Sequence, residues 1–533
     1  MRPLAGALPL LLLWGLPLLL ALMMLVPSLA DGAAWTAMLA HPQAMGGLAL
    51  SLFTGTLASL LALLFTVLLL AGLHGGRAWR WMQAASAAGL ALPHLAFAIG
   101  FGFLVMPSGL LARFFVGGDA PPDWVSVQDP LGLSLTAALA IKEVPFLLTA
   151  GFAALSRGDM EQRMALQLRA AASLGHGRGS AWFRIVLPQL LHDLRWPLVI
   201  VFVYGATVVD MALVLGPTQP PTFAVVIWHA LNDADPAVNR MGLAGTILLT
   251  VALALVLALA FGLLRALRQT LRVMLTAGPS QRQRPRWSAR IIGIMGLGVF
   301  SLSLLLLLLL SLAPRWPYPA LLPPTLGLSA WTSMETTPLW LSLALGVLAA
   351  LTALAMAVLW FETQPPPRDR WPIGLALASL ALPQLAVAGG QYRLFLDAGL
   401  TGNLLGLFLA HLAPTAAYVL IVLTGPYRAF DARYIQAARA LSVSQPSAWL
   451  KVKLPLLKAP LLTSAAIGFA VSMVQFVPAQ LIAGGRFSTL PMEAVTLSSG
   501  GSRPLTAAFA LLLALPPLLA VLTAAMLGRP RWR

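Results

Sequence analysis

Runs of apolar residues long enough to cross the roughly 30 Å hydrocarbon core of a bilayer as helices recur twelve times along the chain. They cover residues 9–30, 45–73, 84–112, 131–156, 197–215 and 241–264, then 291–313, 337–361, 372–390, 402–424, 461–483 and 504–526. The pattern predicts an all-α polytopic membrane protein with twelve transmembrane helices. The first run follows Arg2 and ends at Ser28-Leu29-Ala30, a position where a secretory signal would be cleaved. Its apolar stretch is longer than the roughly 7–15 residues of a signal core, and its loss would leave an odd number of spans. It reads as an uncleaved first helix.

Composition removes the soluble alternatives. Of 533 residues, 59% are hydrophobic and 10% charged, and the mean hydropathy is +0.85. Neither a soluble globular domain nor a disordered chain has this balance. With no cysteine, disulfides, thiolate nucleophiles and Cys-ligated metals are excluded.

The net charge of +17 would suggest nucleic acid in a soluble domain. In a membrane chain it reports orientation, because basic residues are retained in cytoplasmic loops. If the N-terminus is cytoplasmic, 27 of the 34 Lys and Arg residues fall in inside segments and only Arg113, Arg240, Arg315, Arg393, Arg486 and Arg503 fall outside, with Lys142 inside a span. The expectation is a multi-pass membrane protein with both termini cytoplasmic. Lipid is its partner and nucleic acid is not. Residues 267–290 hold seven of those cations if Arg265 is counted with them, and no acid. They read as a cytoplasmic linker between a first half, 1–266, and a second half, 291–533.

The halves repeat. RAAASLGHGRGSAWFRIVLPQL at 169–190 aligns without a gap to QAARALSVSQPSAWLKVKLPLL at 436–457, an offset of 267 with nine identities that include Trp182/Trp449 and Pro188/Pro455. A second echo pairs ALPHLA at 91–96 with ALPQLA at 381–386, at an offset of 290. The outside segment 113–130 absorbs most of the difference. Six spans per half place the repeats parallel in the membrane, so a pseudo-two-fold axis would run along the membrane normal.

Each longer repeat falls in an inside loop between the fourth and fifth spans of its half. It starts helix-compatible, turns at a glycine in the first copy, and is expected to end a second short helix at Leu-Pro. This pattern resembles the EAA loop of permease subunits of bacterial ABC importers. The match lies at Ala170, Ala171, Gly175, Leu187 and Pro188, and at Ala437, Ala438, Leu454 and Pro455, with Leu174 and Leu441 also shared between copies. The family's Glu is Arg169 in one copy and Gln436 in the other, and its Gly is Ser442 in the second. The resemblance implies docking of an ATP-binding cassette ATPase dimer at these loops and delivery of a small solute by an outside binding protein. Fused two-half permeases of this size occur in the thiamine, ferric-iron, sulfate and spermidine class, and the chain looks most like the thiamine branch.

Charged groups inside hydrocarbon usually face a protein interior or a water path. Lys142 and Glu143 precede Pro145 in the fourth span, and at an offset of 269 His411 and Pro414 match Lys142 and Pro145. Asp210 lies in the fifth span and Gln475 in the eleventh. These five residues are the candidates to line a translocation path, with helix packing the alternative role. About 100° separates neighbours on a helix, so Lys142 and Glu143 are not expected to bond each other.

No Gly-Lys pair exists for a phosphate-cradling loop, and no His-x-x-x-His or Glu-x-x-His pair for a metal. No catalytic residue, cofactor or bound metal is expected, and ATP hydrolysis would belong to a separate subunit. Two rivals remain: an ion-coupled secondary transporter, which needs more intramembrane titratable groups than these, and an integral-membrane enzyme, whose acids would cluster at one face.

Overall fold

The computed structural model describes residues 2–528 except 268, 271–277, 279, 281–282 and 442. Among them every regular element is a helix. Ten helices are long and apolar enough to cross a membrane, or twelve when two bent pairs each count as one span. The first six spans are Gly6–Leu29, Ala44–Leu73, His94–Phe115, Leu133–Leu155, Arg178–Thr207 and Pro236–Ala266. The second six are Arg286–Ser311, Thr337–Thr363, the bent pair Pro366–Ala381 and Gln384–Asp397, Leu404–Arg428, the bent pair Gln445–Leu456 and Lys458–Met473, and Arg503–Leu527.

Several boundaries differ from the apolar pattern, and prolines explain most of them. The run 84–112 is split at Leu92-Pro93 into Ala78–Ala91 and a helix starting at His94. Its repeat turns through 105° at Leu382-Pro383. Proline disfavours helical backbone at the residue before it, and Leu92 and Leu382 are both extended. The fifth run begins far earlier than 197, because helix continues through polar residues that hydropathy does not count. Its C-terminal part, Asp210–Leu215, is separated by a break at Val208-Val209.

Small residues decide which faces are buried. In Ala44–Leu73 the positions Gly47, Ser51, Gly55 and Ser59, four apart, are all buried, whereas Phe53, Leu60 and Leu64 face outward. Lipid tails are as apolar as leucine, so close backbone approach drives helix association more than side-chain burial does. A Cβ on Gly55 would lie 2.7 Å from the Ala206 backbone nitrogen. Ser51 Oγ accepts the Phe223 N–H at 2.9 Å, and Ser342 Oγ accepts the Leu490 N–H at 2.9 Å. Phe223–Leu231 and Leu490–Ser498, both nine residues long and 267 apart, extend the repeat beyond what sequence alignment reveals.

The opening helix of each half packs on the other half. The Trp14 indole N–H donates to Ala413 O at 2.8 Å, in the cluster where Trp14 and Leu18 meet Trp360 and Leu412. In exchange, Arg286–Ser311 lies against the second and third spans. There Gly100 faces the Ser303 carbonyl and Gly72 faces Pro285.

Candidate functional site

Both repeated loops fold as helical hairpins. The first is Gly158–Ser173 followed by a helix from Arg178; the second is Arg433–Ala440 followed by a helix from Gln445. The His176 N–H donates to Ala171 O at 3.0 Å and the Val443 N–H to Ala438 O at 3.2 Å, the same closure of the first helix in each copy. Gly175, at φ +81, supplies the left-handed residue that such a closure uses. Ser442, at the equivalent position, lies outside the described residues.

The expectation that Leu-Pro ends the second helix is overturned. Trp182–Val186 and Trp449–Lys453 are single π turns, closed by Leu187 N–H to Trp182 O and Leu454 N–H to Trp449 O. A proline has no N–H, and its ring strikes the carbonyl four residues back. The wider turn relieves that conflict, so the first copy continues unbroken through Pro188 to Thr207. The second copy passes Pro455 and bends by 72° at Leu457.

The hairpins bury their shared alanines and expose their shared leucines. Ala171 and Ala438 are 4% and 9% exposed, whereas Leu174 and Leu441 are 69% and 79% exposed. Arg169, Ala170, Gln436 and Ala437 are exposed, Leu187, Pro188 and Leu454 are half-buried, and Pro455 is exposed. Each hairpin therefore presents an apolar side chain at its turn, held by an alanine packed inside.

Within the spans, Lys142 and Glu143 turn to different partners. Lys142 Nζ donates to Gly89 O at 3.1 Å, and Glu143 Oε1 is 3.0 Å from His94 Nε2. The His94 ring lies 4.7 Å from that of Tyr204, and Asp210 Oδ1 accepts the Met211 N–H at 2.9 Å. His411 Nδ1 meets Ser472 Oγ at 2.9 Å, while its Nε2 is buried with no partner among the described residues. Gln384 Nε2 donates to Gln475 Oε1 at 3.1 Å. The structure thus joins Glu143 to His94 beside the Tyr204 ring, leaves Asp210 outside that contact, and places His411 and Gln475 in contacts with Ser472 and Gln384. His94, Tyr204, Gln384 and Ser472 were missed as site residues. A signal existed for two of them: His94 and Gln384 are the polar position of the ALPxLA echo, and each opens the helix after its proline break.

The chain is 31% identical over 514 residues to the inner membrane ABC transporter permease protein YnjC of Escherichia coli K12, covering 96% of this chain and 94% of that protein. It belongs to the ABC transporter permeases. The spermidine/putrescine transport system permease protein PotC of Haemophilus influenzae is 24% identical over 131 residues, 25% of this chain and 51% of that protein. PotC of Escherichia coli K12 is 22% identical over 185 residues, 35% of this chain and 68% of that protein. No protein-family model matches the chain. As a permease it is a multi-pass inner-membrane transporter subunit rather than an enzyme, and its helices form the translocation path.

Proposed function

We propose that this permease is the membrane subunit of an ATP-driven importer, with an ATPase dimer gripping its two hairpins and an outside binding protein delivering a small solute. The observation that carries the reading is the pair of hairpins built alike: the same helix closure, the same π turn and an exposed leucine at the same place. Residues 1–266 and 291–533 are the two halves and 267–290 the linker, with the hairpins and both termini cytoplasmic, as the 27 to six bias of basic residues supports. Lys142, Glu143, Asp210, His411 and Gln475 line the path or its gate. The cargo belongs with thiamine-like, ferric-iron or oxyanion solutes. Polyamines in the names of two relatives favour a cation among these.

Co-purification with the ATPase tests the docking. Ala171 and Ala438 are unsuitable targets, because substitution there disturbs the hairpin itself. Replacing both Leu174 and Leu441 with arginine should reduce ATPase retention at least tenfold; undiminished retention would sink the proposal. Uptake into liposomes by this chain alone, driven by a proton or sodium gradient, would identify a secondary carrier instead.

A further inference from the structure

A cavity of about 840 Å³ opens beside the first hairpin. Arg77, Arg178, Arg284, Arg286 and Arg290 line it, with Glu161 as the one carboxylate among the lining residues. The arginines come from three separate segments: the turn after the second span, the start of the hairpin's second helix, and Arg284 with the first turns of the seventh span. We propose that this cavity is a binding site for a phosphate-bearing anion, either the headgroup of an anionic lipid or a free phosphate compound.

Arg77, Arg178, Arg286 and Arg290 are exposed around the half-buried Arg284, and guanidinium forks suit phosphate oxygens. Arg284 is already held in place, since its Nη1 donates to His74 O at 3.0 Å. Its Nε is buried with no partner among the described residues. The volume exceeds what a single carboxylate side chain fills. The cavity also lies where the second span ends and the seventh begins, the depth at which basic pockets between helices meet headgroups. Near it, the Gly177 N–H donates to Ser280 O at 2.9 Å and Arg184 Nη1 to Gly278 O at 2.7 Å, so Gly278 and Ser280 form a strap onto the hairpin. An anion bridging Arg178 to Arg284 and Arg286 would fasten that strap. The site involves neither Leu174 nor Leu441, although Glu161, Met164, Ala165, Leu168 and Arg178 of the first hairpin line it.

Native mass spectrometry of the full chain in detergent tests the site, with cardiolipin, phosphatidylcholine and inorganic pyrophosphate as probes. Cardiolipin retention should exceed phosphatidylcholine retention at least tenfold, and Arg284→Gln with Arg286→Gln should reduce it about tenfold. Arg439→Gln, an exposed cation on the second hairpin, should leave it unchanged. Glu161→Gln should raise it two- to threefold, a gain that no misfolded variant would give. If pyrophosphate binds with the same dependence on the variants and displaces cardiolipin, the ligand is a free phosphate compound; if it does neither, the ligand is a lipid. Equal losses from Arg439→Gln and from the double variant, or no preference for either anion, would overturn the proposal.

Discussion

The hairpin ends of the two halves share a backbone and differ in charge. In the second half, Glu362 at the end of the eighth span accepts from Lys453 Nζ at 2.5 Å, from the Trp449 indole at 3.1 Å and from the Tyr427 hydroxyl. Asp369 accepts two bonds of 2.7 Å from Arg428. In the first half, the serine pair Ser51 and Ser342 sets an offset of 291 in this span, and the position matching Glu362 is the buried Ala71. The matching indole, that of Trp182, is buried with no partner among the described residues. The seventh span packs against this end, where a Cβ on Gly72 would lie 2.8 Å from the Pro285 carbonyl oxygen. At one end Glu362 and Asp369 pair with Lys453 and Arg428, and at the other a cluster of arginines lines a cavity. The repeat preserves the backbone of the hairpin while its charges diverge.

Breaking the ion pairs of the second end should have the largest effect. Arg428→Ala leaves the buried Asp369 carboxylate with the Trp360 indole as its remaining side-chain donor, a loss of about 3–5 kcal/mol by analogy with buried ion pairs. The midpoint of thermal unfolding of the purified protein should fall accordingly. Next come the hairpin tips. Leu174→Arg and Leu441→Arg made singly should each weaken ATPase retention severalfold, and unequal losses would show which half is gripped more firmly. Trp14→Phe removes one indole bond to Ala413 and should cost about 1 kcal/mol in the same unfolding measurement.

The smallest effect concerns His74 at the edge of the basic cavity. Burial first, and the Arg284 charge second, hold its pKa below the ordinary 6.5. A depressed histidine pKa means that the unfolded chain binds the proton more readily, so stability is intact above pH 6.5 and declines as pH falls below it. His74→Gln should flatten that acid-side decline in a pH series of unfolding midpoints. A decline unchanged by the substitution would assign it to other groups.

The twelve spans were legible because bilayer-length apolar runs leave few other readings. The breaks at Leu92-Pro93 and Leu382-Pro383 were less so, since the apolar run continues across them. The start of the fifth span at Arg178 was hidden for the opposite reason: Arg184, His192, Asp193 and Arg195 are polar but helical. The hairpins could be located from the repeat, yet which alanine turns inward and which leucine outward depends on how two helices pack. Glu143 was visible as a charge in hydrocarbon. Its partner His94 is 49 residues away and is brought to it only by the packing of two spans.

The clasp of the opening helices has a consequence for how the protein is made. Trp14 and its acceptor Ala413 are 399 residues apart, so at about 5–20 residues per second the first helix waits roughly 20–80 s for its seat to be synthesised. During that time its inward face, with an unpaired indole, has only lipid or an insertion chaperone to shelter it. Nascent chains stalled before residue 413 should cross-link through position 14 to the insertion machinery, and finished chains should not.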